Sequence, residues 1–273
     1  MRAVERGELE AFRSLYAAAP SNIGARTAEL DGALCLRLDD ASEVTMFNRV
    51  LGLGLDAPAT EEQLDAALAF LDGVHAYVTV APDAEPPELP GWLAERRRVP
   101  DHGWTKFSRP TADPPEARTE LRVERVEDGE PFAEAAVHGF GEPLVSREWL
   151  AALATADGWQ CFVAFDGAEP VGAGALFVAG ELGWVGIGAT KPEHRGKGAQ
   201  SALLAARIAA AADAGCSVVV TETGAPVDGV PGGSYRNIVR AGFEPQYVRA
   251  NYVLRRIEPT AVDPSTGQAP AAS

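Results

Sequence analysis

The sequence predicts a mixed α/β (α+β) fold, in which helices pack on a sheet that contains both strand directions. Three observations lead to this prediction. Strand-like apolar runs alternate with amphipathic helical segments between residues 8 and 256. A proline-rich stretch, residues 108–120, divides the chain into two parts with a similar order of segments. A charged stretch with two glycines, within residues 189–208, stands at a strand-to-helix turn.

The second part, residues 116–258, has the clearer pattern. Its helical segments are bounded by residues typical of helix ends: Ser146 is a predicted N-cap, and Gly215 follows a helix as its C′ residue. Strands are predicted at residues 119–126, 159–167, 170–178, 181–190, 216–223 and 247–256. Helices are predicted at residues 130–140, 146–156, about 199–214 and 233–243.

The first part, residues 1–115, repeats this alternation. Helices are predicted at residues 8–19, 59–73 (with Thr60 as N-cap) and 88–97, and strands at residues 33–39, 44–54, 75–82 and 103–109. Because the order of segments resembles the end of the second part, we predict two tandem domains of one fold, residues 1–115 and 116–258. Residues 259–273 have no periodic apolar pattern and are predicted to form a disordered tail.

Composition excludes several classes of function. The formal net charge of −15 would repel a phosphate backbone, so we expect no nucleic-acid partner. The sequence has no apolar run long enough for a membrane span and no secretory signal, so we expect no membrane partner. Three widely spaced cysteines suit a reducing compartment, which predicts a cytoplasmic protein. The four histidines show no metal-ligand spacing, so no metal site is predicted.

The stretch "RGKGAQ", residues 195–200, forms a charged loop that begins the longest helix of the second part. The first amides of a helix lack intrahelical partners and attract anions such as pyrophosphate. Gly196 and Gly198 let a phosphate approach the backbone, Arg195 and Lys197 add positive charge, and Ala199 keeps the surface small. The spacing matches neither the P-loop nor the dinucleotide-binding motif. These residues therefore indicate a different kind of pyrophosphate site.

With its flanking segments, this loop resembles the GCN5-related N-acetyltransferase (GNAT) family, over about residues 119–256. The resemblance depends on residues 195–200 and on the "AGF" end of a later helix, residues 241–243. It implies that residues 195–200 bind the pyrophosphate of acyl-CoA, and we call them the CoA loop. Arg195 and Gly198 fit fixed positions of the family pattern, whereas Gln200 stands where glycine or alanine is usual. The resemblance implies an acyl-CoA N-acyltransferase fold in a tandem form, with a degenerate GNAT-like domain at residues 1–115.

The resemblance also implies acetyl-CoA as cosubstrate. The backbone of Gly188, Ala189 and Thr190 would pair with the pantetheine arm, and Asn237 could hold the pantetheine or the thiolate. Members of the family often have a tyrosine at the position of Ile238, where it acts as the general acid that protonates the departing thiolate.

Tyr235 is our candidate to replace that tyrosine as the acid, with Tyr247 and Tyr252 as further options. A packing role is the alternative for each of these tyrosines.

Glu222 is the candidate base that deprotonates the amine, because it lies at the carboxyl end of a buried strand, where ligands gather in α/β sheets. A solvated carboxylate is the alternative. His138 and Glu142 fall where the family places substrate-binding loops.

The resulting hypothesis is an N-acetyltransferase that acts on a primary amine of a small molecule or peptide. A homodimer is compatible with this hypothesis. The alternatives are a non-catalytic acyl-CoA sensor and an enzyme that transfers another acyl group. Residues 171–177, which include "GAGALF", could leave room for a longer acyl chain. The first part lacks a CoA loop, and the acidic residues within 56–62 would repel pyrophosphate. It is therefore expected to act as a packing partner and a substrate wall.

Overall fold

The structure is a computed structural model and describes residues 3–141 and 146–254. The two halves of the chain are named here as in the sequence, residues 1–115 and 116–258. The first half forms α1 (Ala3–Ala17), β1 (Ala25–Leu30), β2 (Ala33–Leu38), β3 (Arg49–Leu51), α2 (Glu61–Phe70), β4 (Tyr77–Val80), α3 (Leu89–Glu95) and β5 (Arg98–Pro110).

The second half continues the alternation of helices and strands. It forms β6 (Arg122–Val126), α4 (Glu130–Phe140), α5 (Arg147–Ala152), β7 (Trp159–Asp166), β8 (Glu169–Ala179), β9 (Leu182–Thr190), α6 (Ala199–Asp213), β10 (Val218–Gly224), α7 (Gly233–Arg240) and β11 (Glu244–Leu254). This is the mixed α/β fold that the sequence predicts.

All the described strands join one sheet of eleven strands, in the order β1-β2-β3-β4-β11-β5-β10-β9-β8-β7-β6. Among the described strand pairs, β3–β4 and β9–β10 are parallel and the others are antiparallel. The last strand, β11, lies between β4 and β5 of the first half, and β5 in turn pairs with β10 of the second half. One sheet of hydrogen-bonded neighbours therefore includes strands of both halves.

The core lies in two layers, one on each face of the sheet. Alternate residues of β2 show the division, because Leu34 and Leu36 join one cluster while Ala33 and Cys35 join another. The first layer spans both halves and packs α1, α4 and α5 on the sheet. On the opposite face, α6 and α7 cover the second half, and α2 and α3 cover the first.

Most local signals in the sequence act as expected. The side chains of Thr60 and Ser146 cap α2 and α5, and Gly215 follows α6 with a φ of 84°. The predicted strand at residues 44–54 is wrong over most of its length, because only Arg49–Leu51 pairs in the sheet. The sequence did not indicate β1. Glu142 and the predicted tail, residues 259–273, lie outside the described residues.

None of the helices in the described ranges is long and apolar enough to cross a membrane.

Candidate active site

Strands β9 and β10 diverge in the middle of the sheet. They pair only between Leu182 and Trp184 on β9 and between Val218 and Val220 on β10, although both strands continue beyond this point. A bulge in β9 contributes to the divergence: the register with β8 shifts after Gly186, and Ile187 has a positive φ of 51°. The two strands therefore open a gap in the sheet.

A cavity of about 420 Å³ lies at this gap. The second half lines it with the bulge of β9, the end of β10, one face of α6 and one face of α7. The first half lines it with Phe12 and Leu15 of α1, with residues 44, 46, 47 and 49, and with Trp104 of β5. The helix α1 can approach β10 closely because Gly7 has no Cβ, which would lie 2.6 Å from Val220. Both halves therefore build this cavity.

The CoA loop lies between the end of β9 and the start of α6. Gly196 and Gly198 have φ values of 81° and 87°, and Gly198 is the N-cap of α6. A Cβ on Gly196 would meet no atom within 4 Å, whereas one on Gly198 would lie 3.2 Å from the backbone oxygen of Arg118. The loop is therefore open at Gly196 and packed at Gly198 against the proline-rich stretch, residues 108–120.

The two cations of the loop are exposed and already have contacts. The Nζ of Lys197 lies 2.8 Å from a carboxylate oxygen of Asp166. The Nη2 of Arg195 donates to the carbonyl of Gly139 at 3.3 Å. Asp166 is itself exposed, and its hydrogen bond with Lys197 lowers its pKa. Neither cation is buried, so both can reorient toward an anion.

The predicted pantetheine residues lie at the end of β9. Gly188 lines the cavity, and Ala189 and Thr190 are buried beside it. The Nε2 of Gln200 donates to the carbonyl of Ala189 at 2.6 Å and to that of Ala173 at 3.3 Å. Both carbonyls lie next to the register shift between β8 and β9, and a glycine or alanine at position 200 could not donate to them. This explains why a longer side chain stands at position 200.

Arg207, which the sequence analysis did not identify, is buried beneath the bulge and contacts the backbone of β8 and β9. It lies seven positions after Gln200 on α6, so both side chains share the face toward the bulge. Its Nη1 donates to the carbonyls of Gly186 at 3.0 Å and Ala175 at 3.3 Å. Burial lowers the pKa of Arg207 to about 9, and no ion-pair partner for it is found among the described residues. An arginine inside an alanine-rich apolar helix face was the signal in the sequence.

Arg207 occupies the space beside Gly174, one of the two glycines in "GAGALF". A Cβ on Gly174 would lie 2.6 Å from the guanidinium carbon of Arg207. The glycine there makes room for a buried arginine.

Glu222 lies in the cavity wall, and its side chain is only 4% exposed. Its Oε1 accepts from Arg49 Nη1 at 3.1 Å. Its Oε2 accepts from Lys106 Nζ at 2.9 Å and from Arg249 Nη2 at 2.8 Å. Three of the roughly four acceptor positions of this carboxylate are therefore taken.

Glu5 and Glu8 of α1 complete this buried group, which we call the ion cluster (Glu5, Glu8, Arg49, Lys106, Glu222 and Arg249). Glu8 contacts Arg249, Lys106 at 2.6 Å and Arg49 at 3.1 Å. Burial alone would raise the pKa of Glu8, but the three cations outweigh it and hold that pKa well below its usual range. The cluster contains three carboxylates and three cations, so its charges balance.

The candidate acid, Tyr235, is not among the residues that line the cavity. Its ring packs edge-on against Phe107, with the centroids 5.0 Å apart, in the core layer beneath α7. Asn237 and Ile238 do line the cavity. No tyrosine is found among the described residues of the cavity wall, which leaves out Tyr247 and Tyr252 as well.

The other predicted substrate residue, His138, lies on α4 near the cavity without lining it. Its Nδ1 is 2.9 Å from the carbonyl of Glu134 within the same helix. Phe140, two positions later, reaches the cavity instead.

Of the described residues, Glu169, Glu193 and His194 place possible metal-ligand atoms within 4.8 Å of one another, at the surface and beside Lys191.

Divergent parallel strands, a bulged strand and a glycine loop at the start of a helix together define an acyl-CoA N-acyltransferase fold. The family model described as "Acetyltransferase (GNAT) family" matches residues 123–229. Residues 123–229 are therefore similar to GNAT domains.

Solved structures show that the fold extends beyond this match. A GCN5-related N-acetyltransferase from Kribbella flavida is 16% identical, with a TM-score of 0.61 over 92% of this chain and 93% of that chain. One from Sphaerobacter thermophilus is 16% identical, with a TM-score of 0.60 over 82% and 78%.

A tandem GNAT protein from the clavulanic acid biosynthesis pathway is 15% identical, with a TM-score of 0.54 over 92% and 94%. A search of curated proteins gave no significant match. The whole chain thus has the fold of GNAT proteins that include a tandem form.

Proposed function

We propose that this protein is an N-acetyltransferase that transfers the acetyl group of acetyl-CoA to a primary amine of a small molecule or peptide. The observation that carries the proposal is the gap between β9 and β10, which opens into a cavity beside the CoA loop. A thioester arm held in the gap and a pyrophosphate held at the loop would occupy one continuous surface.

The residues of the CoA loop fit an acyl-CoA. Gly196 leaves open space above a backbone in the left-handed region, next to the unpaired amides of α6. Arg195 and Lys197 are exposed beside it. Gly188 and Asn237 face the cavity where the arm would end. When bound, acetyl-CoA supplies the thioester, and these residues hold and orient it.

Glu222 is the carboxylate that the described cavity wall offers to an amine. Arg49, Lys106 and Arg249 occupy three of its acceptor positions, so a role as proton acceptor would compete with the ion cluster. Its remaining acceptor position can instead take a hydrogen bond from the amine. We therefore propose that Glu222 orients the amine and that water accepts the proton, and direct proton transfer to Glu222 becomes the alternative.

A second candidate function is an acyl-CoA sensor without catalysis. The position of Ile238 in the cavity wall, with Tyr235 packed outside it, favours this candidate. A thiolate is a good leaving group, and general acid help is typically worth about 10²–10⁴-fold, so catalysis does not require a tyrosine.

Two glycines of matched geometry test the binding of acetyl-CoA. Gly196 and Gly215 lie before and after α6, with φ values of 81° and 84°, and a Cβ on either would meet no atom within 4 Å. Gly196→Asp should weaken acetyl-CoA binding at least about 10-fold in calorimetry, because it brings a carboxylate to the pyrophosphate. Gly215→Asp should have the same backbone strain and unchanged affinity. Equal affinities in both folded variants would contradict the proposed site.

Release of the CoA thiol, measured with a panel of amines and with mass spectrometry of the products, separates the two candidate functions. An enzyme releases thiol in step with acetylated amine. Tight acetyl-CoA binding with no acetylated product from any amine would favour the sensor.

A further inference from the structure

One wall of the cavity is aromatic, and both halves of the chain contribute to it. The rings come from α1, β5, β9, the ends of α4 and α5, and the segment before β3. They belong to Phe12, Phe47, Trp104, Phe140, Trp149 and Trp184. Aromatic walls of this kind bind a ligand through buried apolar area.

The indole nitrogens of Trp149 and Trp184 are buried, and the one of Trp184 has no hydrogen-bond partner in the part of the chain that the structure describes. The Nε1 of Trp149 donates to the carbonyl of Leu15 at 2.8 Å. The ring of Trp184 lies over the backbone of Gly186, where a Cβ would clash with it at 1.8 Å. The aromatic wall therefore reaches the bulge of β9, close to the proposed reaction region.

The charged side of the cavity offers no surplus negative charge. Glu222 and Arg49 belong to the ion cluster, in which three carboxylates balance three cations. The guanidinium of Arg49 also lies 4.1 Å from the ring centroid of Phe12. A ligand with several ammonium groups would lose its hydration here without gaining partners.

From these observations, and given the proposed acetyl transfer, we infer that the acceptor is a small primary amine with one aromatic or branched alkyl body and no second charge. The cavity volume of about 420 Å³ is near the lower end of the range for small-molecule sites. That volume also has to accommodate the acyl end of the cosubstrate. Polyamines and aminoglycosides, which are polycationic, do not fit this wall.

The test compares amines with the full-length protein and acetyl-CoA. 2-Phenylethylamine should be acetylated with a kcat/KM roughly 10- to 150-fold above that of ethanolamine, which is the effect of fully burying a phenyl group. Spermidine, kanamycin and a peptide with an N-terminal phenylalanine are measured beside them. Preference for ethanolamine, spermidine, kanamycin or the peptide overturns the inference.

A matched pair of variants links the preference to the aromatic wall. Met46 lines the cavity, whereas Val248 is 50% exposed and does not line it. Met46→Glu should reduce the preference for 2-phenylethylamine at least about 10-fold, and Val248→Glu should not change it. Equal preference in the two folded variants overturns the inference.

Binding without turnover separates this inference from the proposed function. Trp104 and Trp184 line the cavity, so bound 2-phenylethylamine should change tryptophan fluorescence. Saturable binding that Met46→Glu weakens, with no acetylation of any amine, supports the amine site and refutes the proposed activity. Acetylation of other amines without binding of 2-phenylethylamine refutes the amine site alone. Absence of both refutes the inference.

Discussion

Replacing Glu222 with glutamine should destabilise the protein, because the ion cluster would then contain three cations and two carboxylates. The side chains of Glu222, Lys106 and Arg249 are 4%, 1% and 1% exposed, so the excess charge would remain buried. Breaking a buried ion pair on one side costs about 3–5 kcal/mol. Since 1 kcal/mol shifts the Tm of a chain of this size by about 2–4 °C, Glu222→Gln should lower it by about 6 °C or more.

A second substitution that restores the charge balance should recover much of this loss. In Glu222→Gln/Lys106→Met, one charge of each sign is removed, and methionine keeps most of the lysine stem in the buried space. The double variant should regain at least half of the lost Tm. Glu29→Gln is the control, because Glu29 and its partner Arg13 are 51% and 39% exposed and such pairs contribute less than about 1 kcal/mol.

Thermal unfolding by circular dichroism, with urea unfolding as a second measure, decides between the outcomes. A Tm for Glu222→Gln within about 2 °C of wild type would refute the reasoning, and so would additive losses in the double variant. The folded double variant also serves for kinetics. The pH–rate profile of the double variant should have the same shape as that of wild type if water accepts the proton. If Glu222 accepts the proton, the profile should lose the part in which the rate rises with pH.

Three further predictions follow from single contacts. Tyr235→Phe should change kcat by less than about 10-fold, because that ring packs outside the cavity; a fall beyond about 100-fold would make its hydroxyl an essential acid. Gly174→Ala should destabilise by about 1–3 kcal/mol in urea unfolding, because it displaces the buried Arg207, whereas Gly91→Ala, in open space on α3, should stabilise slightly; the opposite order would contradict the packing. Folding lowers the pKa of Glu8, so its ionised side chain stabilises the fold above the unfolded pKa of about 4.5, and this stabilisation is lost as the pH falls through the lower folded pKa. The Tm difference between wild type and Glu8→Gln should therefore narrow below pH 4.5. A Tm difference that stays constant with pH would contradict this.

The sequence predicted the fold well where the signal is local. The alternation of apolar residues located β8 and β9, and the cap residues Ser146 and Gly215 located helix ends. The order of strands in the sheet could not be predicted from the sequence, because β11 pairs with β4 and β5, which lie more than a hundred residues earlier in the chain. The strand predicted at residues 44–54 was wrong for a related reason. The apolar side chains of this segment face the cavity and the core, so the segment has the apolar pattern of a strand without pairing in the sheet over most of its length.

The candidate site divides in the same way. The CoA loop is contiguous in sequence, so its glycines and cations could be recognised together. The surroundings of Glu222 could not, since its partners Arg49 and Lys106 come from strands of the other half. The role of Gln200 depends on the bulge of β9, which brings the carbonyls of Ala173 and Ala189 within its reach.

These contacts give the first half a role that does not require it to bind a CoA of its own. It supplies Glu5, Glu8, Arg49 and Lys106, four of the six members of the ion cluster that holds Glu222. It also supplies part of the apolar wall, through α1 and the segment before β3. Because β11 of the second half pairs between β4 and β5, the two halves also share one hydrogen-bonded ladder. A substitution in the first half, far from the CoA loop, can therefore change the shape and charge of the cavity around Glu222.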